Sequence, residues 1–310
     1  MKIKMVGPVR PQIQTIISVV VPVYNDSRGI AATLHALFRQ RYPGDRFEII
    51  VVDNNSTDQT FAVIEKIAAV FSGNIIVAKE PVQSSYAARN TGIRLASGRY
   101  LAFIDANMTV PEDWLEKGVA CLDQGRGDYI GCRIRVVPGW GSENPGIYER
   151  YHMAIGFPVA DYMKHDGYAP TACLFVAKKV IERCGGFDPE LFSGGDVEFG
   201  TRVQDAGFVQ YYDADNVMNY PARATWHALV KKQKRVVSGQ IALRRKFPGR
   251  FACNRVKDVL VWGIQIFPVV SPWVLKKIRH PAKDVFQKFV IFYLLRLYTC
   301  WLKFSHRCWF

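Results

Sequence analysis

The feature that most constrains the fold of this chain is a regular alternation, over residues 16–105, of short β-branched runs with amphipathic segments. The first run is Ile16–Val23, and from Gly29 to Arg41 apolar residues recur at helical spacing. The pattern then repeats, which predicts strands at 47–53, 75–78 and 99–105 and helices at 59–71 and 84–96. Strands that alternate with helices form βαβ units, so we predict an α/β domain with a mainly parallel sheet flanked by helices.

Polar side chains follow three of these predicted strands. Asn25 follows the first strand, Asp53 ends the second, and Asp105 ends the fourth. Ligands of open parallel sheets bind beyond the carboxyl ends of the strands. The sequence therefore predicts a binding site at this edge of the sheet.

Beyond residue 125 the periodicity is weaker. Strands are predicted at Asp128–Val137 and Tyr168–Ala177, and a helix at Asp196–Ala206. The intervening residues 139–167 are rich in Gly, Pro, Tyr and His, which predicts a substrate-facing loop with a helical piece.

Positive charge is concentrated in the C-terminal part of the chain. The formal net charge is +14, and the segment from Ala222 onward holds 19 Lys and Arg against two Asp, which leaves 22 bases and 25 acids for the rest. Such a block faces nucleic acid or the anionic surface of a membrane. Aromatic and aliphatic residues lie among these charges, which favours the membrane and argues against nucleic acid. We therefore predict a catalytic domain over 1–222 and a basic, helical, membrane-associating region over 223–310.

Two apolar stretches in this basic region, Val259–Leu275 and Phe289–Leu302, are too short or too interrupted to predict a spanning helix. Their flanking Lys and Arg and their Trp and Tyr are typical of helices that lie in the membrane interface, although helices packed onto the catalytic domain are an alternative. The seven cysteines form no C-x-x-C pair and no secretory signal opens the chain. We expect free thiols, no zinc site, and a peripheral position on the cytoplasmic face of the cell membrane.

Five segments resemble, in order and in spacing, the motifs of family 2 glycosyltransferases. They are Val19-Val-Val-Pro-Val-Tyr-Asn25, Val51-Val-Asp-Asn-Asn-Ser-Thr-Asp58, Ala87-Ala-Arg-Asn-Thr-Gly92, Phe103-Ile-Asp-Ala-Asn107 and Gly194-Gly-Asp-Val-Glu198. The resemblance covers roughly residues 16–240. It implies a GT-A fold, which is Rossmann-like, an activated nucleotide-sugar donor, and inversion at the anomeric carbon.

The resemblance assigns the first two motifs to a nucleotide pocket. Asp53 would accept a hydrogen bond from the uracil of a UDP-sugar, and the other side of the pocket would be formed by Pro22, Tyr24 and Asn25. Taken without the resemblance, Asp53 could instead cap the following helix, although Ser56 and Thr57 are better placed for capping.

The third and fourth motifs are assigned to the donor's phosphates. Arg89 would pair with phosphate or stack on the base, although a solvated helix arginine is the alternative. Asp105 and Asn107 stand where the family has a D-x-D motif, which implies that Asp105 contacts the donor and that both residues hold Mn²⁺ or Mg²⁺ against its diphosphate. Asn107 replaces a carboxylate by an amide, which predicts weaker metal binding.

The fifth motif is assigned to catalysis. By resemblance Asp196 is the base that takes the proton of the acceptor hydroxyl, Glu198 is the acid that follows it, and Gly195 replaces the family's first acid. Acids at a helix start are also favoured by the helix dipole, which is the alternative. Further on, the side chains of Lys231–Arg235 either contact the phosphates of donor or lipid or form a solvated helix face.

Together these features predict an inverting, metal-dependent glycosyltransferase that moves a sugar from a UDP-sugar to a hydroxyl of a glycan or lipid-linked glycan in cell-surface polysaccharide synthesis. Two alternatives stay open. A nucleotidyltransferase would carry a Gly-rich phosphate loop, which Pro22–Asn25 is not. A non-catalytic relative that binds nucleotide sugar is left open by the changes at Asn107 and Gly195.

Overall fold

The computed structural model describes residues 4–6, 16–71, 73–251 and 285–305. The chain forms two compact units, which we call unit 1 (residues 1–135 and 157–220) and unit 2 (residues 136–156 and 221–310). Unit 2 thus contains residues 136–156, which the division into 1–222 and 223–310 assigns to the catalytic domain.

The described part of the chain contains one eight-stranded sheet. Its strands are β1 (Lys4–Val6), β2 (Ile17–Val23), β3 (Phe47–Asp53), β4 (Asn74–Lys79), β5 (Tyr100–Ile104), β6 (Tyr129–Val137), β7 (Cys173–Ala177) and β8 (Gln210–Pro221). They lie in the order β1-β4-β3-β2-β5-β7-β6-β8. The four strands from β4 to β5 are mutually parallel, whereas β1 is antiparallel to β4, and β7 is antiparallel to both β5 and β6. The predicted α/β class and mainly parallel sheet are confirmed.

The helices follow the expected alternation. In chain order they are α1 (Ser27–Phe38), α2 (Thr60–Val70), α3 (Ser85–Leu95), α4 (Trp114–Asp123), α5 (Ile147–Ile155), α6 (Val159–Asp161), α7 (Lys178–Cys184), α8 (Gly195–Asp205), α9 (Trp226–Lys246) and α10 (Val285–Ser305). A short π-helical turn, Tyr162–Asp166, continues α6. The segment 139–167 is therefore more helical than predicted. The strand predicted over Tyr168–Ala177 begins only at Cys173, because a turn precedes it in which the Cys173 amide donates to the carbonyl of Pro170.

The two central strands explain why this sheet forms. Every residue of β2 and β3 is buried, as expected of parallel strands covered on both faces, and most of these residues are Val or Ile. Two of the polar exceptions are hydrogen-bonded to each other: the Ser18 hydroxyl donates to the Glu48 carboxylate at 2.6 Å. At the other end of the strands Val23 pairs with Asp53, so the two chain segments leave the sheet side by side.

Unit 2 is held together by the packing of α10 against α5 and α9. One apolar cluster is formed by Tyr151, Leu229, Ile291 and Leu295. A second is formed by Val237, Ile241 and Leu302, and between the same helices the Gln233 amide donates to the Thr299 hydroxyl at 2.7 Å.

Only one of the two C-terminal apolar stretches lies among the described residues. The stretch Phe289–Leu302 lies within α10, whereas Val259–Leu275 lies outside the described residues. None of the helices that the structure describes combines the length and the apolar character needed to cross a membrane.

Candidate active site

Asp53 closes β3 with its side chain buried, at 1% exposure. One carboxylate oxygen, Oδ2, accepts a hydrogen bond from the Ser56 amide at 3.3 Å. The other, Oδ1, is buried and accepts none from the residues that the structure describes. A buried acceptor without a donor costs about 1–3 kcal/mol, and more when it is charged. Asp53 therefore presents an oxygen suited to a donor group on a ligand.

The loop after β2 is locked to the loop after β3. Asn25 has a left-handed backbone (φ 46°), which asparagine tolerates. Its amide donates to the Ser56 hydroxyl at 2.9 Å, and its side-chain oxygen accepts from the Thr57 amide at 2.8 Å. The prediction that Ser56 and Thr57 cap the next helix is therefore wrong. Both are engaged with Asn25, and α2 starts at Thr60 without a side-chain cap at Gln59.

The residues expected on the other side of the pocket differ in accessibility. Pro22 is buried inside β2, where it pairs with Val52. Tyr24 is 48% exposed, so its ring is available for contact with a planar ligand. Of this group, the structure thus brings Tyr24 and Asn25 to the surface beside Asp53, whereas Pro22 shapes the strand that carries them.

Arg89 and Asp105 contact each other. Arg89 lies on α3 and is almost completely buried, and its Nη2 is 2.6 Å from Oδ1 of Asp105, whose side chain is 38% exposed. Nη1 of Arg89 donates to the carbonyl of Ser85 at 3.3 Å. Arg89 therefore orients Asp105 at the end of β5. Direct pairing of Arg89 with a phosphate stays a prediction.

The expected metal ligands offer few oxygens. Asp105 shares one oxygen with Arg89, and Oδ1 of Asn107 is buried without a hydrogen-bond donor in the described part of the chain. Within that part no group of three or more His, Cys, Asp or Glu side chains could hold a metal ion. The buried amide oxygen and the adjacent carboxylate fit a cation such as Mg²⁺ or Mn²⁺ only if a ligand and water complete the shell. Metal dependence stays a prediction.

The start of α8 shows why the family's first acid is missing. Gly194 has a left-handed backbone (φ 89°), and the Gly195 amide donates to the Tyr86 hydroxyl at 2.9 Å. A Cβ at Gly195 would lie 2.7 Å from the Tyr86 ring. No side chain fits at Gly195 because Tyr86 occupies its space.

The two acids of α8 have different surroundings. Asp196 is half-buried, and its Oδ1 accepts from the amide of its neighbour Val197 at 3.1 Å. Glu198 is buried, and its two oxygens bind Nε and Nη2 of Arg202 at 2.6 and 2.8 Å. Arg202 also donates to the carbonyls of Cys184 and Gly186. Glu198 thus anchors α8 to the end of α7, whereas the role of Asp196 as the catalytic base stays a prediction.

Tyrosines that the sequence gave no reason to select lie within electrostatic reach of Asp196. Burial raises the pKa of Tyr86, Tyr129 and Tyr168, and the charge of Asp196 contributes to each rise. The rings of Tyr162 and Tyr168 stack with centroids 5.2 Å apart. Asp196 thus shares its electrostatic surroundings with several tyrosines.

Asn90 of the third motif and Tyr220 of β8 serve packing. Asn90, next to Arg89, exchanges two hydrogen bonds with the backbone of Phe187, at 2.7 and 2.8 Å. Tyr220 is buried at the end of β8 with its ring 5.1 Å from that of Phe157. The motif context of Asn90 was the one available signal that it matters.

Comparison with known proteins shows which proteins the chain is similar to. The family model described as glycosyl transferase family 2 matches residues 18–181. Glycosyltransferase AglE of Haloferax volcanii is 32% identical over 286 residues, which are 92% of each chain. A Methanococcus voltae enzyme named dolichyl N-acetyl-alpha-D-glucosaminyl phosphate 3-beta-D-2,3-diacetamido-2,3-dideoxy-beta-D-glucuronosyltransferase is 23% identical, covering 85% of this chain and 87% of its own.

A solved structure shares the architecture. The mannosyltransferase PcManGT of Pyrobaculum calidifontis, in complex with GDP-Man and Mn²⁺, superimposes with a TM-score of 0.64 at 19% identity, covering 97% of this chain and 89% of that one. This likeness confirms the GT-A fold.

Proposed function

Since this chain belongs to glycosyl transferase family 2 and is a glycosyltransferase, we propose that it moves a sugar from a UDP-sugar, with inversion, to a hydroxyl of a glycan or lipid-linked glycan. The name of the Methanococcus voltae relative, which contains a dolichyl phosphate, supports an acceptor of the lipid-linked kind. Family membership favours sugar transfer over nucleotidyl transfer. Donor hydrolysis by the purified protein would separate an active enzyme from a non-catalytic relative.

One observation carries the choice of a uracil nucleotide. Oδ1 of Asp53 is a buried carboxylate oxygen without a donor in the described residues, at the carboxyl end of a parallel strand. The N3–H of uracil is a donor that such an oxygen accepts, and the exposed ring of Tyr24 can cover the face of the base. In this pocket Asp53 determines the base and the locked Asn25 loop determines its position.

Calorimetry with UDP tests this assignment. Asp53→Ala should weaken UDP binding roughly 10- to 100-fold, as expected for loss of a hydrogen bond to a charged group. Asp58→Asn is the matched control, because it removes an exposed carboxylate of the same loop, whose Oδ1 accepts from the Thr60 amide. UDP affinity that is unchanged in Asp53→Ala, or tighter binding of GDP than of UDP by the wild type, would contradict the assignment.

The chemistry follows from Asp196. Its carboxylate takes the proton of the acceptor hydroxyl as that oxygen attacks the anomeric carbon, and the bond to the nucleoside diphosphate breaks on the opposite face. The carboxylate is held at the first turn of α8 by the hydrogen bond between Gly195 and Tyr86. Glu198 and Arg202 fix the helix that carries it.

We propose that Asp105 and Asn107 hold a divalent cation, which would neutralise the diphosphate that leaves. Arg89 contacts Oδ1 of Asp105 at 2.6 Å and so helps to hold the carboxylate in place. A thermal-shift series with UDP tests this. UDP together with Mn²⁺ should raise the melting temperature further than UDP alone, and Asn107→Asp should enlarge the difference between these two conditions. An identical shift with Mn²⁺ and with EDTA would rule out the metal.

We also propose that unit 2 binds the cytoplasmic face of an anionic membrane. One face of α10 presents a stripe of exposed apolar residues: Phe286, Val290, Leu294 and Trp301. On α9 the exposed side chains include Lys231, Lys234 and Arg245. An apolar stripe accompanied by bases is typical of helices that lie in a membrane interface.

A further inference from the structure

The backbone on both sides of Tyr168 is fixed by buried or partly buried side chains of unit 1. The carbonyl of Gly167, which precedes it, accepts a hydrogen bond from the Gln210 side-chain amide at 2.9 Å. The amide and the carbonyl of Ala169, which follows it, both bind the buried Tyr129 hydroxyl, at 2.9 and 3.1 Å. Tyr168 is therefore presented from a backbone that is held in one position.

The same tyrosine packs on the helix that carries Asp196. The Gln210 amide also donates to the carbonyl of Gly200 in α8 at 2.9 Å, and a Cβ at Gly200 would lie 2.5 Å from the Cβ of Tyr168. Gly200 lies one turn after Asp196, and residues one turn apart share a helix face. Burial, and then the charge of Asp196, raises the pKa of Tyr168. Tyr168 thus lies beside the proposed base.

The ring of Tyr168 is paired with the ring of Tyr162, the first residue of the π-helical turn. The ring centroids are 5.2 Å apart and the ring planes are inclined by 12°. Both tyrosines are half-buried, so part of each side chain is accessible. Among the residues that the structure describes, neither hydroxyl has a hydrogen-bond partner. Two stacked rings with available hydroxyls suit a ligand that offers both an apolar face and polar edges.

A sugar ring has this character. Its C–H groups form apolar faces that pack on an aromatic ring, and its edge carries hydroxyls that can bind a phenolic hydroxyl. A uracil base could also stack on tyrosine, but Asp53, the proposed contact of the base, ends β3. The strands β2, β5 and β7 separate β3 from β6, where Tyr129 anchors the Tyr168 segment. The position of the two rings therefore favours a sugar over the base.

We propose that Tyr162 and Tyr168 bind the sugar ring of the acceptor, the ring whose hydroxyl gives its proton to Asp196. This inference rests on the proposed function, which makes Asp196 the base. Stacking on the tyrosine rings determines the plane of the sugar, and hydrogen bonds to the two phenolic hydroxyls determine its rotation within that plane. The pair thereby selects an acceptor that ends in a sugar over one that ends in a simple alcohol.

Saturation-transfer NMR on the full-length protein, without UDP, tests this with the methyl glycosides of glucose, galactose, mannose and N-acetylglucosamine. At least one glycoside should bind the wild type, with the strongest saturation at the C–H protons of one face. Tyr168→Leu and Tyr162→Leu should each weaken its binding roughly 10-fold, whereas Tyr168→Phe, which keeps the ring, should weaken it by about threefold or less. Tyr100→Leu is the matched control and should change nothing, because Tyr100 is also half-buried but begins β5, at the sheet edge opposite to Asp105.

Donor binding separates the acceptor site from a donor site. In every variant the affinity for UDP, and for the UDP-sugar that the wild type prefers, should stay unchanged. A parallel loss of either affinity in a folded variant would place the donor at these rings, and equal saturation of both sugar faces would exclude stacking; each result overturns the proposal. So does a wild type that binds none of the glycosides, or glycoside binding that neither leucine variant changes.

Far-ultraviolet circular dichroism of each variant checks folding, and Tyr162→Leu carries the test if Tyr168→Leu fails to fold. Failure of the wild type to bind UDP would contradict the proposed function. The glycoside measurements need no UDP, so the two failures are distinguishable.

Discussion

Units 1 and 2 both contain notable charged side chains, but these are carboxylates in unit 1 and cations in unit 2. In unit 1 single carboxylates stand at strand and helix ends, and Asp105 and Glu198 each have one arginine partner. In unit 2 burial, and then the charges of Arg223 and Arg235, lowers the pKa of Lys232 to about 7. Asp53, whose Oδ1 accepts no hydrogen bond from the described residues, suits a donor group on a nucleotide, whereas the exposed bases of unit 2 suit an anionic membrane surface. The sign of the charge thus distinguishes the donor binding proposed for unit 1 from the membrane binding proposed for unit 2.

The largest expected effect separates two acids within unit 1. Asp196→Asn retains the shape but cannot take a proton at neutral pH, so transfer should fall roughly 10²- to 10⁴-fold while UDP affinity stays the same. Glu198→Gln should act on stability instead, because it removes a charge from the buried pair with Arg202. Steady-state rates and thermal melts measure the two effects. A large catalytic loss at Glu198 with a normal rate at Asp196 would exchange their roles.

Part of the fold and of the candidate site can be predicted from the sequence. The strands, the helices and the strand-end residues Asp53 and Asp105 follow from local periodicity, because a parallel sheet places the carboxyl ends of its strands together. Asn25 was found for the same reason. The sequence does not show that Asn25 binds Ser56 and Thr57. A Ser or Thr in a turn can cap a helix or bind a neighbouring loop, and only the fold decides between these two roles.

Other contacts could not be found from the sequence. Tyr86 meets Gly195 across 109 residues, and Arg223 meets His152 across 71. No spacing rule predicts such pairs, since packing of distant elements creates them. The sequence shows the absence of an acid at Gly195 only as a departure from the family pattern, and the structure gives it a steric cause in the Tyr86 ring.

The second expected effect concerns the apolar stripe of unit 2. Replacing Leu294 and Trp301 together by Gln should reduce binding to anionic vesicles roughly 10-fold or more, given about 1.5–3 kcal/mol for full burial of a large apolar side chain. UDP binding should not change. Val70→Gln is the matched control, because Val70 is 82% exposed but lies on α2 in unit 1. Co-sedimentation measures the binding. Equal loss in the control, or no loss in the double variant, would mean that α10 does not touch the membrane.

The smallest expected effect tests whether the donor side and the base of unit 1 act as one site through Tyr86. The Arg89 guanidinium, which contacts Asp105, lies 5.5 Å from the centre of the Tyr86 ring. The Tyr86 hydroxyl in turn accepts a hydrogen bond from the amide of Gly195, the residue before Asp196. Tyr86→Phe keeps the ring that fills the space over Gly195 but leaves the Gly195 amide without its acceptor. An ordinary hydrogen bond contributes about 0.5–1.5 kcal/mol, so we expect kcat to fall roughly 2- to 10-fold. KM for the UDP-sugar should stay constant, because the base moves and the nucleotide pocket does not.

Tyr100→Phe, which removes a hydroxyl bonded to Asp123, controls for loss of a tyrosine hydroxyl in the same unit. If Tyr86→Phe raised KM and left kcat unchanged, Tyr86 would serve the donor and Asp196 would be positioned by other contacts.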